Sequence, residues 1–438
     1  MSDQLQREAG AALQWTLDAG ADDAIAGVGE GNNTRFNFRD GKVEQVQQSA
    51  SRGLGLQLYV DGRYSTHNTT DLRPDQVRRF IADAVELTRH LEPDPHRVIA
   101  DPELYEGRSE EDLELVDESV PKLERDGCLE WLAAMDVANH DDARVISATG
   151  GVNFGLHRSA RVSSNGFAGT QESTFVGYGS TVTLEEGAGR RPEAHHWVGA
   201  HHLDELPDPV EVARQSLERA QQRLGSAKAP SARATMVVDP EAGPGLLGRV
   251  ESALNGGAIQ QNRSFLAGKK GEKIAGELLT IRDEPLLKRG MGSHHFDGEG
   301  IAARSMAVCE KGVLCNYYID TYYGRKLGWE PTTGGASNLV FGLGDGDLDE
   351  LIGEVGEGFY VNGWLGGNAD GATGDFSFGF RGHRIEGGKK GGAVSEMNIT
   401  GNYLDLLGNL AAVGNDAYRW SSVKTPTLVF KDVEFSGQ

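Results

Sequence analysis

Between Asp3 and Ala19 the apolar residues Leu5, Ala9, Ala12, Leu13 and Leu17 recur at helical spacing, and Gly20 ends the run. That pattern predicts an amphipathic helix. From Thr34 to Tyr64 the period changes to two, with Asp40-Gly41 and Asp61-Gly62 set between alternating stretches. Aspartate-glycine pairs in that setting predict strands joined by tight turns. Pro74 then opens a second helix with Val77, Phe80, Ile81, Ala84 and Val85 on one face. Glu92 to Glu124 is charged and broken by prolines, so it reads as a long surface connection. Leu129 to Val137 is helical, and Arg144 to Leu184 alternates again as a second run of strands. Asp208-Pro209 caps a further helix with Val210, Ala213, Leu217, Ala220 and Leu224 as its apolar stripe. No internal repeat is evident along the chain.

Ala227 to Ala232 reads as a linker, which divides the chain into domains 1–232 and 233–438. After it, Thr235 to Asp239 is a buried-strand candidate, and short strand-like pieces follow at Gly312–Ile319 and Thr427–Phe430. Glycine is dense here, but apolar and aromatic residues recur between the glycines, so the pattern means tight turns and close backbone approach. The expected fold class is α+β: an N-terminal helix and β-meander domain followed by a glycine-rich, β-dominated domain.

Composition narrows the class. With 38 % hydrophobic residues, the 438-residue chain is able to build sizeable cores. No apolar run approaches the roughly 20 residues of a membrane span, and Met1-Ser-Asp-Gln4 lacks the regions of a signal peptide. The expectation is a cytoplasmic protein with no membrane attachment. A formal charge of -22 argues against direct nucleic-acid binding. The three cysteines, Cys128, Cys309 and Cys315, cannot form a disulfide framework and fit a reducing compartment. Glu310-Lys-Gly312 reads as a hairpin turn that brings the last two thiols near one another.

Candidate chemistry is sparse. His195-His196, His201-His202 and His294-His295 could each offer a metal ligand, but adjacent residues of a strand point to opposite faces. Asp345 to Glu350 superficially resembles a calcium loop, yet it has no glycine at the sixth position and Gly356 where a bidentate glutamate belongs. It reads better as an acidic helix start. Serine-hydrolase, Walker and dinucleotide motifs are absent. The segment Asn316 to Trp329 is dense in aromatic residues, and strand alternation would set Tyr317 against Tyr318 and Tyr322. Tyr317, Tyr318, Tyr322, Tyr323 and Trp329 are therefore candidates to line a groove for an extended peptide.

The chain resembles the TldD/PmbA family, also called modulators of DNA gyrase, and within it the TldE (PmbA) branch. The resemblance rests on Phe38–Lys42, Gly53–Gln57, Ser264–Leu266, Phe296–Gly300, Gly312–Leu314, Gly374–Phe376, Ile385–Gly387, Ile399–Asn402 and Val413–Asp416, in shared order over nearly the whole length. It implies a heteromeric zinc peptidase that degrades unfolded peptides, with zinc held by an HExxxH helix and a later cysteine of the TldD subunit. Aligned on Leu246-Leu247 and Asn255–Gly257, the first histidine becomes Gly248, the glutamate Arg249 and the second histidine Ala253. No cysteine stands near Trp420–Lys424, where the later cysteine would lie. The implied role is a TldE-like, non-catalytic subunit with no cofactor of its own, zinc being expected in a TldD-like partner. The alternative is a stand-alone peptide-binding homo-oligomer.

Overall fold

The computed structural model describes residues 2–187 and 189–437. Its N-terminal part runs α1 (Ser2–Asp18), β1 (Asp23–Arg39), β2 (Lys42–Val60), β3 (Arg63–Thr69) and α2 (Pro74–Thr88). The order then recurs as α3 (Arg125–Asn139), β4 (Val145–Ser163), β5 (Ala168–Leu184), β6 (Glu193–Ala200) and α4 (Pro209–Gln221). The six strands form one sheet in the order β3-β2-β1-β4-β5-β6, so two helix–three-strand–helix units meet at the antiparallel β1–β4 pair. This duplication corrects the expectation of no internal repeat. The two units share topology and a period-two burial pattern rather than matching side chains.

The aspartate-glycine turns form where expected. Asp40 and Gly41 have φ of 46° and 78°, and Asp61 and Gly62 have 49° and 75°, the left-handed pair that matches strand twist. β1 begins eleven residues earlier than the predicted strand start, at Asp23. The first half alternates Ala24, Ala26 and Val28 with Gly27, Gly29 and Gly31, and the glycines weaken any strand signal. Ala24, Ala26 and Val28 pack with Leu5, Ala9, Val77 and Ile81 of α1 and α2. Phe36 and Phe38, on the same face of β1, pack with Leu132, Met135, Val212 and Ala213 of α3 and α4. All four helices thus cover one face of the sheet, and the opposite face is left to the rest of the chain.

That remainder comprises β7 (Ala232–Val238), α5 (Gly243–Ala253), α6 (Gly256–Gln260), β8 (Ile281–Asp283), β9 (Met306–Glu310) and β10 (Val313–Leu314). After these come α7 (Thr321–Leu327), β11 (Leu339–Phe341), α8 (Leu348–Val355), β12 (Glu357–Ala369), β13 (Asp375–Glu386) and β14 (Lys389–Asn402). The chain ends with α9 (Tyr403–Gly408), β15 (Leu410–Val413), β16 (Val423–Lys424) and β17 (Leu428–Ser436). Strands β14-β13-β12-β7-β17 are neighbours in order, and β14 also pairs with β17, which closes the sheet on itself. Met236, Phe359, Val361, Phe380, Met397 and Phe435 fill the main core of this part. A smaller sheet, β10-β9-β8-β11-β16, stands beside it. The fold is α+β, as the sequence implies. No helix among the described residues is long and apolar enough to cross a membrane.

The connection predicted to run over the surface proves to be a strap between the two parts. The Arg97 guanidinium lies 4.6 Å from the ring centre of Tyr64 on β3 and 3.4 Å from that of Tyr322 on α7. Arg108 stands 5.6 Å from both Phe167 and Phe296. Leu113 is buried, its carbonyl accepts from Arg289 N, and the Leu104 carbonyl accepts from Ala302 N.

Candidate functional site

Helix α5 forms where the resemblance places a metal-binding helix. Leu246, Leu247, Val250 and Ala253 make its buried stripe, Gly248 is half-buried, and Arg249 is exposed. Gly248 and Val423 line one small cavity of 30 Å³ together with Leu247, Leu254 and Leu407. The helix and the Trp420–Lys424 segment therefore converge, as a zinc site would require, but apart from Glu251 the surfaces that meet are hydrocarbon. Zinc needs three or four nitrogen, sulfur or oxygen ligands at about 2.0–2.3 Å. Glycine, alanine and valine side chains supply none, and among the described residues no group of three or more His, Cys, Asp or Glu is placed to hold an ion. The donor set here does not fit zinc.

Glu251 reaches the same cavity. Burial first, then the charge of Asp283, raises its carboxyl above the ordinary value. Asp283 is buried and accepts from the backbone N–H and hydroxyl of Ser337. The Tyr318 hydroxyl faces this pair without a well-formed hydrogen bond, and burial pushes it far above its normal range. Asp283 is closed into the core, whereas Glu251 is only half-buried.

The aromatic candidates do not share one groove. Tyr317 and Tyr318 are 3 % and 2 % exposed and belong to the main core. Tyr317 donates to Leu266 O at 2.7 Å and stacks on Trp329 at 5.6 Å. Tyr322 and Tyr323 lie in α7, not on a strand, so the alternation expected for this segment is overturned. The Asp320 carboxylate accepts from Tyr323 N, which starts a helix before pairing can continue. Tyr322 donates to Asp94 at 2.8 Å in the strap, and the Tyr323 side chain covers Gly256 with its Cβ and Gly257 with its ring. Trp329, 40 % exposed, lines a 570 Å³ cleft with Arg325, Pro331 and the strap residues Val98–Leu104.

Two of the three histidine pairs are tied to backbone carbonyls, while His196 of the first lies 3.6 Å from Glu241. His201 Nδ1 meets Thr174 O at 2.6 Å, His202 Nε2 meets Glu114 O at 2.7 Å, and His295 Nε2 meets Glu111 O at 2.8 Å. His294 Nδ1 sits 2.8 Å from Gly292 O. Asp347 and Glu350 form a reciprocal cap at the start of α8, so the calcium-like segment is a helix start as expected. Lys311 and Gly312, with φ of 48° and 80°, make the predicted turn between β9 and β10. Cys309 and Cys315 remain free thiols.

A cleft of 850 Å³ lies between the two parts of the molecule, on the helix-free face of the N-terminal sheet. Gly27 and Gly29 of β1 stand opposite Gly55 and Gly53 of β2, so side chains do not fill the floor there. Loops carrying Phe296, Asp297 and Thr333–Ala336 form the roof. Asp297 braces it by accepting from Glu299 N, Ile301 N and Gly334 N. Arg161 of β4 points into the space, and its Nη1 has no hydrogen-bond partner. Burial lowers its pKa, while Asp297 and Glu299 act the other way. Sequence reasoning missed this site. The glycines at alternate positions were visible, but only strand register sets two such rows face to face.

Profiles of the PmbA/TldA metallopeptidase family match its domain 1 at residues 26–88, its central domain at 118–224 and its C-terminal domain at 231–437. The metalloprotease PmbA of Escherichia coli O157:H7 is 28 % identical over 423 residues, covering 95 % of this chain and 93 % of that one. A Methanothermobacter thermautotrophicus metalloprotease is 27 % identical, covering 89 % and 87 %. A Bacteroides thetaiotaomicron structure with the provisional label modulator of DNA gyrase superposes with a TM-score of 0.97 at 40 % identity, covering 100 % and 99 %. TldE from Thermococcus kodakarensis shares the fold, with a TM-score of 0.87 at 20 % identity over 98 % and 100 % of the chains.

Proposed function

The chain belongs to the PmbA/TldA metallopeptidase family, and from that premise we propose that it is a TldE-like, non-catalytic subunit of a two-component peptidase. The observation that carries this reading is the 30 Å³ cavity where α5 and β16 converge, lined by hydrocarbon except for the single carboxylate of Glu251. A metal-activated water needs ligands to hold the ion and an open coordination position; Gly248, Ala253 and Val423 supply neither. The chain's part is then to enclose extended peptide while a zinc-bearing, TldD-like partner cuts it.

Two further features support the reading. The interdomain cleft has the volume of an ordinary ligand site, typically about 300–1,000 Å³. The outer edge of β2 also invites assembly. β3 pairs only with Leu54–Val60, so residues 42–53 form an edge exposed on both faces, with Val43 and Val46 more than two-fifths exposed. Single chains ordinarily cover or blunt such an edge.

The test is to purify the chain alone and together with a TldD-like protein carrying HExxxH. The isolated chain is expected to leave an unfolded peptide intact, and the pair is expected to cleave it in a chelator-sensitive way. Chelator-sensitive cleavage by the isolated chain overturns the reading. A self-associated species that binds peptide but gains nothing from any such partner supports the stand-alone alternative instead.

A further inference from the structure

A second cavity, of 440 Å³, lies where the end of α4 and strand β6 meet β12, β13 and β14. Its walls are almost wholly polar, with Leu348 and Tyr360 as the apolar contributors. Arg223, just after α4, and Arg381 of β13 both line it. Neither makes an ion pair with any described residue, and the Nε of each is shut away from water without a hydrogen-bond acceptor. The Asn362 Oδ1 in the same wall is equally unpartnered. Arg381 sits over Gly363, where a Cβ would stand 2.6 Å from its Nε, so the close seat depends on glycine.

Three carboxylates reach this cavity: exposed Glu218 on its rim, and Asp239 and Glu241, both of which are engaged elsewhere. Glu241 takes Arg219 at 2.6 Å and lies 3.6 Å from the His196 ring. Asp239 accepts from the Tyr360 hydroxyl and from Glu241 N. Lys390 pairs at 3.1 Å with the exposed Asp349. Burial, then the neighbouring charges of Arg381 and Arg219, pushes the Arg223 pKa down to about 10. Two partly buried guanidiniums thus share a wall with no ion-paired carboxylate of their own, inside a chain whose formal charge is -22. Buried charge persists only when something compensates it.

We propose that this cavity is an oxyanion site whose ligand is a phosphate group, free or as a monoester, held by Arg223 and Arg381. Guanidiniums present N–H groups that pair with phosphate oxygens, and a charged partner would satisfy both orphaned Nε–H donors at once. The polar walls favour such a ligand over an apolar peptide side chain. The site is separate from the interdomain cleft and does not depend on the subunit reading.

Thermal unfolding at matched ionic strength tests it. About 10 mM inorganic phosphate is expected to raise Tm by about 2–4 °C over chloride, with acetate giving a smaller shift. Glycerol phosphate as a parallel arm separates the sources: an equal shift indicates an esterified ligand is accommodated, and a shift with inorganic phosphate alone indicates the free anion. Arg223→Gln and Arg381→Gln are each expected to weaken phosphate binding about tenfold or more, while leaving Tm in chloride unchanged or higher because a like-charge contact is relieved. Asn362→Asp supplies a check that does not remove a donor: a built-in carboxylate should raise Tm in chloride and abolish the phosphate response. A phosphate shift no larger than that of acetate, or one that survives in both arginine variants, overturns the proposal.

Discussion

Glu241 shows how single residues set the electrostatics of the junction between the two parts. Burial alone would raise its carboxyl, but the His196 ring and the Arg219 guanidinium outweigh it and hold the pKa at about 2. A depressed acid contributes stability that is present above its unfolded value near 4.3 and is lost as pH falls toward the folded value. Neighbouring Asp239 runs the other way, because burial raises it, so its protonated form is favoured in the folded state. Glu241→Gln is therefore expected to cost roughly 1–3 kcal/mol at neutral pH and to flatten the stability loss between about pH 4.5 and 2. Urea unfolding of both proteins across that range checks it. An unchanged acid limb would show that the Arg219 contact carries little. The erased metal positions are legible at this same scale, since no arrangement of glycine, alanine and valine side chains yields a ligand.

At the scale of elements, local signals succeeded where the chemistry is contained within a few residues. The reciprocal cap of α8 is one case: the Asp347 carboxylate accepts from Asp349 N and Glu350 N, and Glu350 returns to Asp347 N. Asp347→Ala is expected to destabilise the protein by about 0.5–2 kcal/mol, read as a lower urea midpoint with an unchanged slope. Prediction failed where long-range partners decide. The first half of β1 is glycine-interrupted, and its strand state comes from pairing with β2 on one side and β4 on the other. In the aromatic segment, period two suggested a strand, but the Asp320 cap and the packing of Tyr323 on α6 turn residues 321–327 into α7. Tyr317 and Tyr318 precede that turn and are drawn into the core.

For the whole molecule, the strap is the feature that makes one body of two parts. Arg97 and Arg108 each bridge an aromatic ring of the N-terminal part and one of the C-terminal part. Such contacts contribute about 0.5–2 kcal/mol each when partly desolvated. Replacing both arginines with alanine is expected to raise amide exchange across residues 92–124 and to speed limited proteolysis there by about tenfold, with the helices of the N-terminal part unaffected. Exchange unchanged from the parent protein would assign the rigidity to buried Leu113 and the strap's backbone hydrogen bonds instead.

By itself the sequence determined the helices with strong apolar stripes, the aspartate-glycine turns, the α+β class and the absence of ligating side chains at Gly248 and Ala253 of α5. Each of these depends on residues within a turn or two of one another, where propensity and side-chain chemistry act directly. The tertiary structure decided the duplicated sheet, the interdomain cleft, the strap and the unpaired arginines of the second cavity. Those arise from register and from surfaces brought together across hundreds of residues. Whether Arg223 or Arg381 has a counter-ion depends on which side chains share its desolvated wall, and that is settled by the packing of the folded chain.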